Sequence, residues 1–197
     1  MSRILAGSAA FKTATRVAKM ETPFRYPPLR HGSRFGSVHE PGMFYGSFQL
    51  DTCLCECAYY RFKFLLDMES TPSIPLKTSH TVFSVALKTA LAVDTRTAAF
   101  DQALIRSTGS YDYTHKVGTR AREIGAHAII YMSARCDGEN AAVIELEAID
   151  SAPASDKFAM QSVTAPHAVS FIGAGRLESF PLSLFLDSDG VFPNIAS

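Results

Sequence analysis

Arg25, Tyr26, Arg34, Tyr45 and Glu56 all fall within residues 25–56, a segment interrupted by Pro27, Pro28, Gly32, Gly36 and Gly42. So much Gly and Pro argues against one continuous buried element, and irregular segments on a rigid scaffold often carry binding and catalytic groups. Between Met1 and Lys63 there are nine Lys or Arg against four Asp or Glu, although the whole chain is neutral. Fixed positive charge in a cleft concentrates anions, so the front of the chain suits an anionic small molecule. Scattered solvated charge accounts for the same count, and at this level the two readings stand side by side.

The elements that must position these groups follow from the pattern. Pro23, Pro27 and Pro28 keep the chain after Met20 extended. Met43–Phe48 reads as a short strand. Asp51 is placed to cap a helix over Thr52–Leu66. On that helix Leu50, Leu54, Cys57, Ala58 and Arg61 or Phe62 share a face, which sets Glu56 on roughly the opposite side, near Tyr60 and Lys63. Glu56 is then either solvated surface or the floor of a cleft, and periodicity by itself favours surface. His80–Ala92 predicts one or two strands, Thr97–Ser107 a short helix, and Tyr113–Ile124 a helix ended by Gly125. His127–Tyr131 and Ala141–Ile149 read as strands around a loop, Met132–Asn140. Ser151–Asp156 reads as a linker to a less regular tail. Within that tail Ile172-Gly-Ala-Gly begins like a dinucleotide fingerprint, but it lacks the third Gly and the chain needed to complete the unit.

With 197 residues and 47% hydrophobic content, the chain is expected to form one soluble α+β domain. No apolar run nears the roughly 20 residues of a membrane span, and a neutral total gives no reason to expect nucleic acid or a membrane surface. Arg3, Lys12, Arg16 and Lys19 precede the first acid, Glu21, and a short N-terminal helix is expected there. Cys53, Cys55 and Cys57 are spaced too tightly for a usual zinc site, so they and Cys136 are expected to be reduced packing residues with no metal.

Taken in order, the pieces Arg25-Tyr26, Gly32-Ser-Arg34-Phe35, Tyr45–Ser47, Asp51–Glu56 and Ile129–Asn140 with its Ser133-Ala-Arg135 run resemble the RES-domain family, the toxins of bacterial RES–Xre toxin–antitoxin pairs. The resemblance extends over about Phe24–Ile149. The chain departs from the family in its Cys53–Cys57 cluster and in a tail after Asp150 that matches nothing in the pattern.

The resemblance implies a single mixed α/β domain similar to the ADP-ribosyltransferase toxins. Residues 1–20 would be an N-terminal helix or extension, 21–150 the catalytic domain and 151–197 an extension packed on it. It implies an enzyme that takes NAD as substrate, without a metal, and transfers ADP-ribose to water, to inorganic phosphate or to a protein. Glu56 and Arg34 would be catalytic; Arg25, Tyr26, Tyr45, Ser133 and Asn140 would bind NAD. The ordinary readings are a solvated helix Glu, surface arginines, packed tyrosines and turn residues at Ser133 and Asn140. His31 and His39 read as solvated loop residues. The implied partner is an Xre-type helix-turn-helix antitoxin, in a complex that includes a dimer of this chain, and the implied location is the cytoplasm. A different class, an inactive module holding an anion or acidic peptide, fits the same basic loop.

Overall fold

A computed structural model describes residues 2–9, 23–24, 32–150 and 157–193. These form one α+β domain around a nine-stranded sheet in the order β4-β5-β6-β2-β1-β3-β7-β8-β9. The strands are β1 Ser2–Ala9, β2 Phe44–Ser47, β3 Leu76–Leu87, β4 Ala92–Asp94, β5 Ala128–Met132, β6 Glu139–Val143, β7 Lys157–Thr164, β8 Ala168–Gly173 and β9 Arg176–Pro181. Helix α1 covers Leu50–Leu66, α2 Gln102–Ile105 and α3 Asp112–Glu123. Only β4 and β5 run parallel; the other pairs are antiparallel.

β1 joins the two halves of the sheet. It pairs with β3 along its full length, Ser2↔Leu87 to Ala9↔His80, and meets β2 at Leu5↔Ser47. A strand therefore occupies residues 2–9 where the spacing of basic residues suggested a helix. The pairing explains the difference, because backbone groups committed to β3 cannot also close helical turns. Residues 10–20 and the linker 151–156 lie outside the described residues.

β5 and β6 are covered on both faces, which is why Ala141-Ala142-Val143 is apolar without alternation. Ala128, Ala141 and Val143 pack with Phe44, Val85 and Leu87, while Ile129, Tyr131 and Ala142 turn the other way onto Phe35, Met43 and Ile105. A third core joins Leu54, Cys55, Ala58, Tyr59 and Phe62 of α1 to Val82, Met160, Val169, Phe171 and Phe185. The residues after Asp150 thus supply one wall around α1. Instead of an irregular tail they form the antiparallel run β7-β8-β9. The Gly173-Ala174-Gly175 stretch is the β8–β9 turn, with positive φ at all three residues, and not a phosphate loop.

α1 begins earlier than its acid suggested. Gln49 occupies the N-cap, without a side-chain cap bond, and Asp51 falls in the first turn. Thr52 Oγ1 donates to the Asp137 carbonyl at 3.1 Å, and a Cβ on Gly138 would lie 2.0 Å from that same hydroxyl oxygen. The helix start and the 133–138 loop are therefore locked together. Of the remaining predicted elements, His80–Ala92 resolves into β3 and β4, the Thr97–Ser107 helix is a single turn, and Ala141–Ile149 is β6 followed by a 3-10 turn at Leu146–Ala148.

Candidate functional site

Cys53, Glu56, Cys57 and Tyr60 recur at i, i+3, i+4 and i+7 along α1, so they share one helical stripe. That stripe forms one wall of a cavity of about 300 Å³. Tyr45 and Ser47 from β2, Tyr131 from β5 and Asn140 from β6 form the facing wall. Arg34 enters from the 32–43 segment, Tyr111 from the start of α3, and Arg135 from the loop after β5. Cys57, expected on the buried face, belongs to the cavity stripe. Both sides of α1 are covered, one by the tail core and one by the cavity wall, which defeats a two-faced reading of its sequence.

Glu56 points inward. Ser133 Oγ donates to its Oε1 at 2.7 Å, and Asn140 Nδ2 donates to the same oxygen at 2.8 Å. Oε2 makes neither bond. Ser47 Oγ in turn donates to Asn140 Oδ1 at 2.6 Å, which fixes the amide so that its NH₂ faces the carboxylate. Ser47 and Tyr131 are the register partners of Asn140 on either side. Three neighbouring strands therefore hold one carboxylate by a short chain of hydrogen bonds. Ser133 Oγ also accepts the backbone N–H groups of Arg135 at 3.0 Å and Cys136 at 3.3 Å, closing the turn after β5.

Two arginines reach the cavity, each mostly buried. Arg34 Nη1 donates to the carbonyls of Ile105 at 2.8 Å and Ser107 at 3.0 Å, and its guanidinium lies 5.0 Å from the centre of the Tyr111 ring. The guanidinium of Arg135 lies 3.8 Å over the Tyr59 ring. Its Nε and Nη1 are buried without a hydrogen-bond partner among the described residues. Burying a guanidinium is costly, and a stacked ring offsets only part of that cost. Burial pulls the pKa of Arg135 down, but Tyr59, Tyr111 and the Glu56 carboxylate hold it above the ordinary value, so the guanidinium stays charged.

The tyrosines are held as neutral phenols. Tyr45 Oη donates to Ser33 Oγ at 2.9 Å and accepts the Phe35 N–H at 3.1 Å. Burial pushes its phenol up to about 12, against the opposing pull of those bonds. Burial likewise holds Tyr131 well above the ordinary tyrosine range. Tyr60 is 53% exposed and stands at the open side of the cavity.

Of the residues singled out in the sequence, Arg34, Tyr45, Glu56 and Asn140 converge on this cavity. Arg25, Tyr26 and His31 lie outside the described residues, so the convergence of Arg25 with Arg34 does not enter the geometry. Ser133 is fully buried and does not line the cavity. Its hydroxyl donates to Glu56, so in this structure it positions the carboxylate. Asn140 sits in β6, not in a turn, and its side chain is bonded on both ends. His39 is exposed.

Arg135, Ser47, Tyr60, Tyr111 and Tyr131 went unassigned in the sequence. The i, i+3, i+4, i+7 spacing around Glu56 was the available signal for Tyr60, and the Ser-Ala-Arg run for Arg135. No group of three or more His, Cys, Asp or Glu among the described residues is arranged to hold a metal. No helix there is long and apolar enough to cross a membrane.

The family model described as RES domain matches residues 10–164 of the chain, a span that includes every residue of the cavity. No curated protein matches the chain.

Proposed function

The chain belongs to the RES-domain family, and from that premise we propose that its cavity binds NAD and cleaves the nicotinamide–ribose bond, passing ADP-ribose to water or inorganic phosphate. The observation that carries this reading is Glu56, fixed by Ser133 and Asn140 in a cavity that it shares with Tyr45, Tyr60, Tyr111, Tyr131 and two arginines.

As the bond breaks, nicotinamide takes the electron pair and leaves as a neutral base, while positive charge develops on the ribose. Because the leaving group is already a cationic pyridinium, no acid is needed to expel it. That agrees with a cavity in which no histidine appears among the described lining residues. Glu56 stabilises the ribose cation: its Oε1 is held by the protein, and Oε2 meets the ribose hydroxyls. The acceptor oxygen then bonds to the anomeric carbon and gives up its proton.

Arg135 and Arg34 bind the diphosphate, where a forked and permanently charged donor is the matching group. A cavity of about 300 Å³ is at the small end for ligand sites. It takes the nicotinamide–ribose end against Tyr45, Tyr111 and Tyr131, and the adenine end extends past Tyr60. The family pairing with an Xre-type antitoxin, the toxin role in the cytoplasm and the likeness to ADP-ribosyltransferase toxins are part of the same proposal.

Purified protein, freed of any bound partner and incubated with NAD with and without phosphate, should yield nicotinamide together with ADP-ribose or its phosphorylated form. NAD left intact by folded protein under both conditions contradicts the proposal. Label transferred from NAD to protein would replace the small acceptor with a macromolecular one.

A further inference from the structure

Four thiols surround Glu56, in two pairs. Cys53 and Cys57 lie on its own stripe and interact with each other along α1. Cys55, buried to 1% exposure, belongs to the same core cluster as Cys136, which is half-buried in the loop after β5. Cys55 Sγ also lies 3.9 Å from the Arg135 carbonyl, and Cys136 Sγ lies 3.4 Å from Ser133 Oγ. The second pair therefore joins the helix bearing Glu56 to the turn bearing the serine that positions it.

Geometry separates the two pairs. Residues four apart on a helix keep their Cβ atoms about 5–6 Å apart, whereas a disulfide needs about 3.5–4.5 Å. Cys53 and Cys57 cannot bridge without breaking α1. Cys136 is not on that helix, so a bond to Cys55 does not require α1 to break.

We propose that Cys55 and Cys136 are a reversible oxidation site, and that the disulfide between them switches off the cavity by drawing Ser133 away from Glu56. The hydrogen bond from Cys55 lowers the Cys136 thiol below its ordinary range, against burial, while that contact and burial raise Cys55. Cys136, half-buried where Cys55 is fully buried, is the thiol a peroxide reaches, and it reacts first. It attacks one oxygen of hydrogen peroxide; the O–O bond breaks, leaving Cys136 sulfenic acid and hydroxide. Cys55 sulfur then attacks the Cys136 sulfur, the S–O bond breaks, and the Cys55 proton leaves with the departing hydroxide as water. Two thiols lose two electrons, and one peroxide becomes two waters. The turn tightens because Ser133 Oγ accepts the Cys136 N–H, so a pull on Cys136 is felt at the Glu56 bond.

The site itself is independent of the proposed activity; the switch rests on the NAD reading. The test is peroxide treatment of the purified protein followed by peptide mass spectrometry without reduction, with NAD consumption measured in parallel. A linked Cys55–Cys136 peptide is expected. NAD consumption should fall about a hundredfold in the bridged protein, the order expected when a catalytic group moves by an ångström, and dithiothreitol should restore it. Cys136→Ala and Cys55→Ala should each abolish the link and keep the same rate before and after peroxide. Folded, oxidised protein with both thiols unbridged overturns the site. Bridged protein as fast as reduced protein overturns the switch. Reduced protein that consumes no NAD contradicts the enzymatic reading and the switch with it, while the mapping still decides the bond.

Discussion

Ser133 Oγ and Glu56 Oε1 meet at 2.7 Å although 77 residues separate them in the chain. The contact joins the end of β5 to the middle of α1 and turns Glu56 from a helix surface residue into the floor of a cavity. Asn140, one strand over, makes the second bond to the same oxygen. The carboxylate is therefore oriented before any ligand arrives, and orientation of this kind is what makes a charged group effective in a transition state.

Removing the positioning bond should cost rate more than binding. Ser133→Ala is expected to lower kcat for NAD consumption with KM nearly unchanged. It should also lower stability by about 1–3 kcal/mol, because the Arg135 and Cys136 N–H groups lose their buried acceptor. Steady-state kinetics and urea unfolding read the two effects separately. In a double-mutant cycle with Asn140→Ala the losses should not add, since both residues act on one oxygen.

Arg135 should behave in the opposite way. Its buried Nε and Nη1 have no partner among the described residues, so Arg135→Met removes no hydrogen bond made by those atoms and relieves their desolvation. Arg135→Met should leave the unfolding midpoint close to that of the parent protein. It should lower kcat/KM for NAD by about 10- to 100-fold through loss of a charge-assisted bond. A large loss of stability with unchanged KM would assign Arg135 to packing on Tyr59.

The Arg34 segment is held by close approach to α3. A Cβ on Gly118 would sit 1.8 Å from the Phe35 carbonyl oxygen, and His115 Nε2 contacts the Ser33 carbonyl at 2.9 Å. Gly118→Ala should therefore destabilise by about 1–3 kcal/mol or more, as overpacking does, and should lose activity with it. Thermal unfolding checks this; a neutral effect would mean that α3 does not press on that segment.

Tyr45 gives a pH signature. Its folded phenol titrates at about 12, above the value of about 10 for an unfolded tyrosine. Below pH 10 both states keep the proton and the group contributes no pH dependence. Between 10 and 12 the unfolded state holds fewer protons, so stability falls with rising pH, by up to about 1.4 kcal/mol per unit. Chemical denaturation from pH 8 to 12 should show a shallower decline for Tyr45→Phe than for the parent protein. Parallel slopes would place the Tyr45 hydroxyl in water.

The positions of β2, α1, α3 and β5 were legible from local signals, because each has its own turn residues or periodicity at its ends. β1 and the β7-β8-β9 run were not. β1 and β7 are fixed by pairing with β3, a relation between segments far apart, β8 and β9 follow as hairpins on β7, and the Gly173–Gly175 turn imitated another motif. Within the site, Arg34, Tyr45 and Glu56 were legible as a pattern, but the direction of Glu56 was not, since a helix covered on two sides has no clear solvent face. Only the resemblance turned it inward. Arg135 was visible in the Ser-Ala-Arg run, yet nothing local shows that a guanidinium will be buried without a partner. Ser133 was legible as part of the Ser-Ala-Arg run, but the sequence carries no sign that its hydroxyl bonds Glu56.

The most direct test compares NAD consumption by the parent protein and by Glu56→Gln at equal concentrations of folded protein, with nicotinamide and the ADP-ribosyl product both measured. The parent should release both products, and Glu56→Gln should lose about 10²- to 10³-fold in kcat with the fold intact by circular dichroism. A Glu56→Gln protein as active as the parent would remove Glu56 from the chemistry, and a folded parent protein that leaves NAD untouched would contradict the account at its centre.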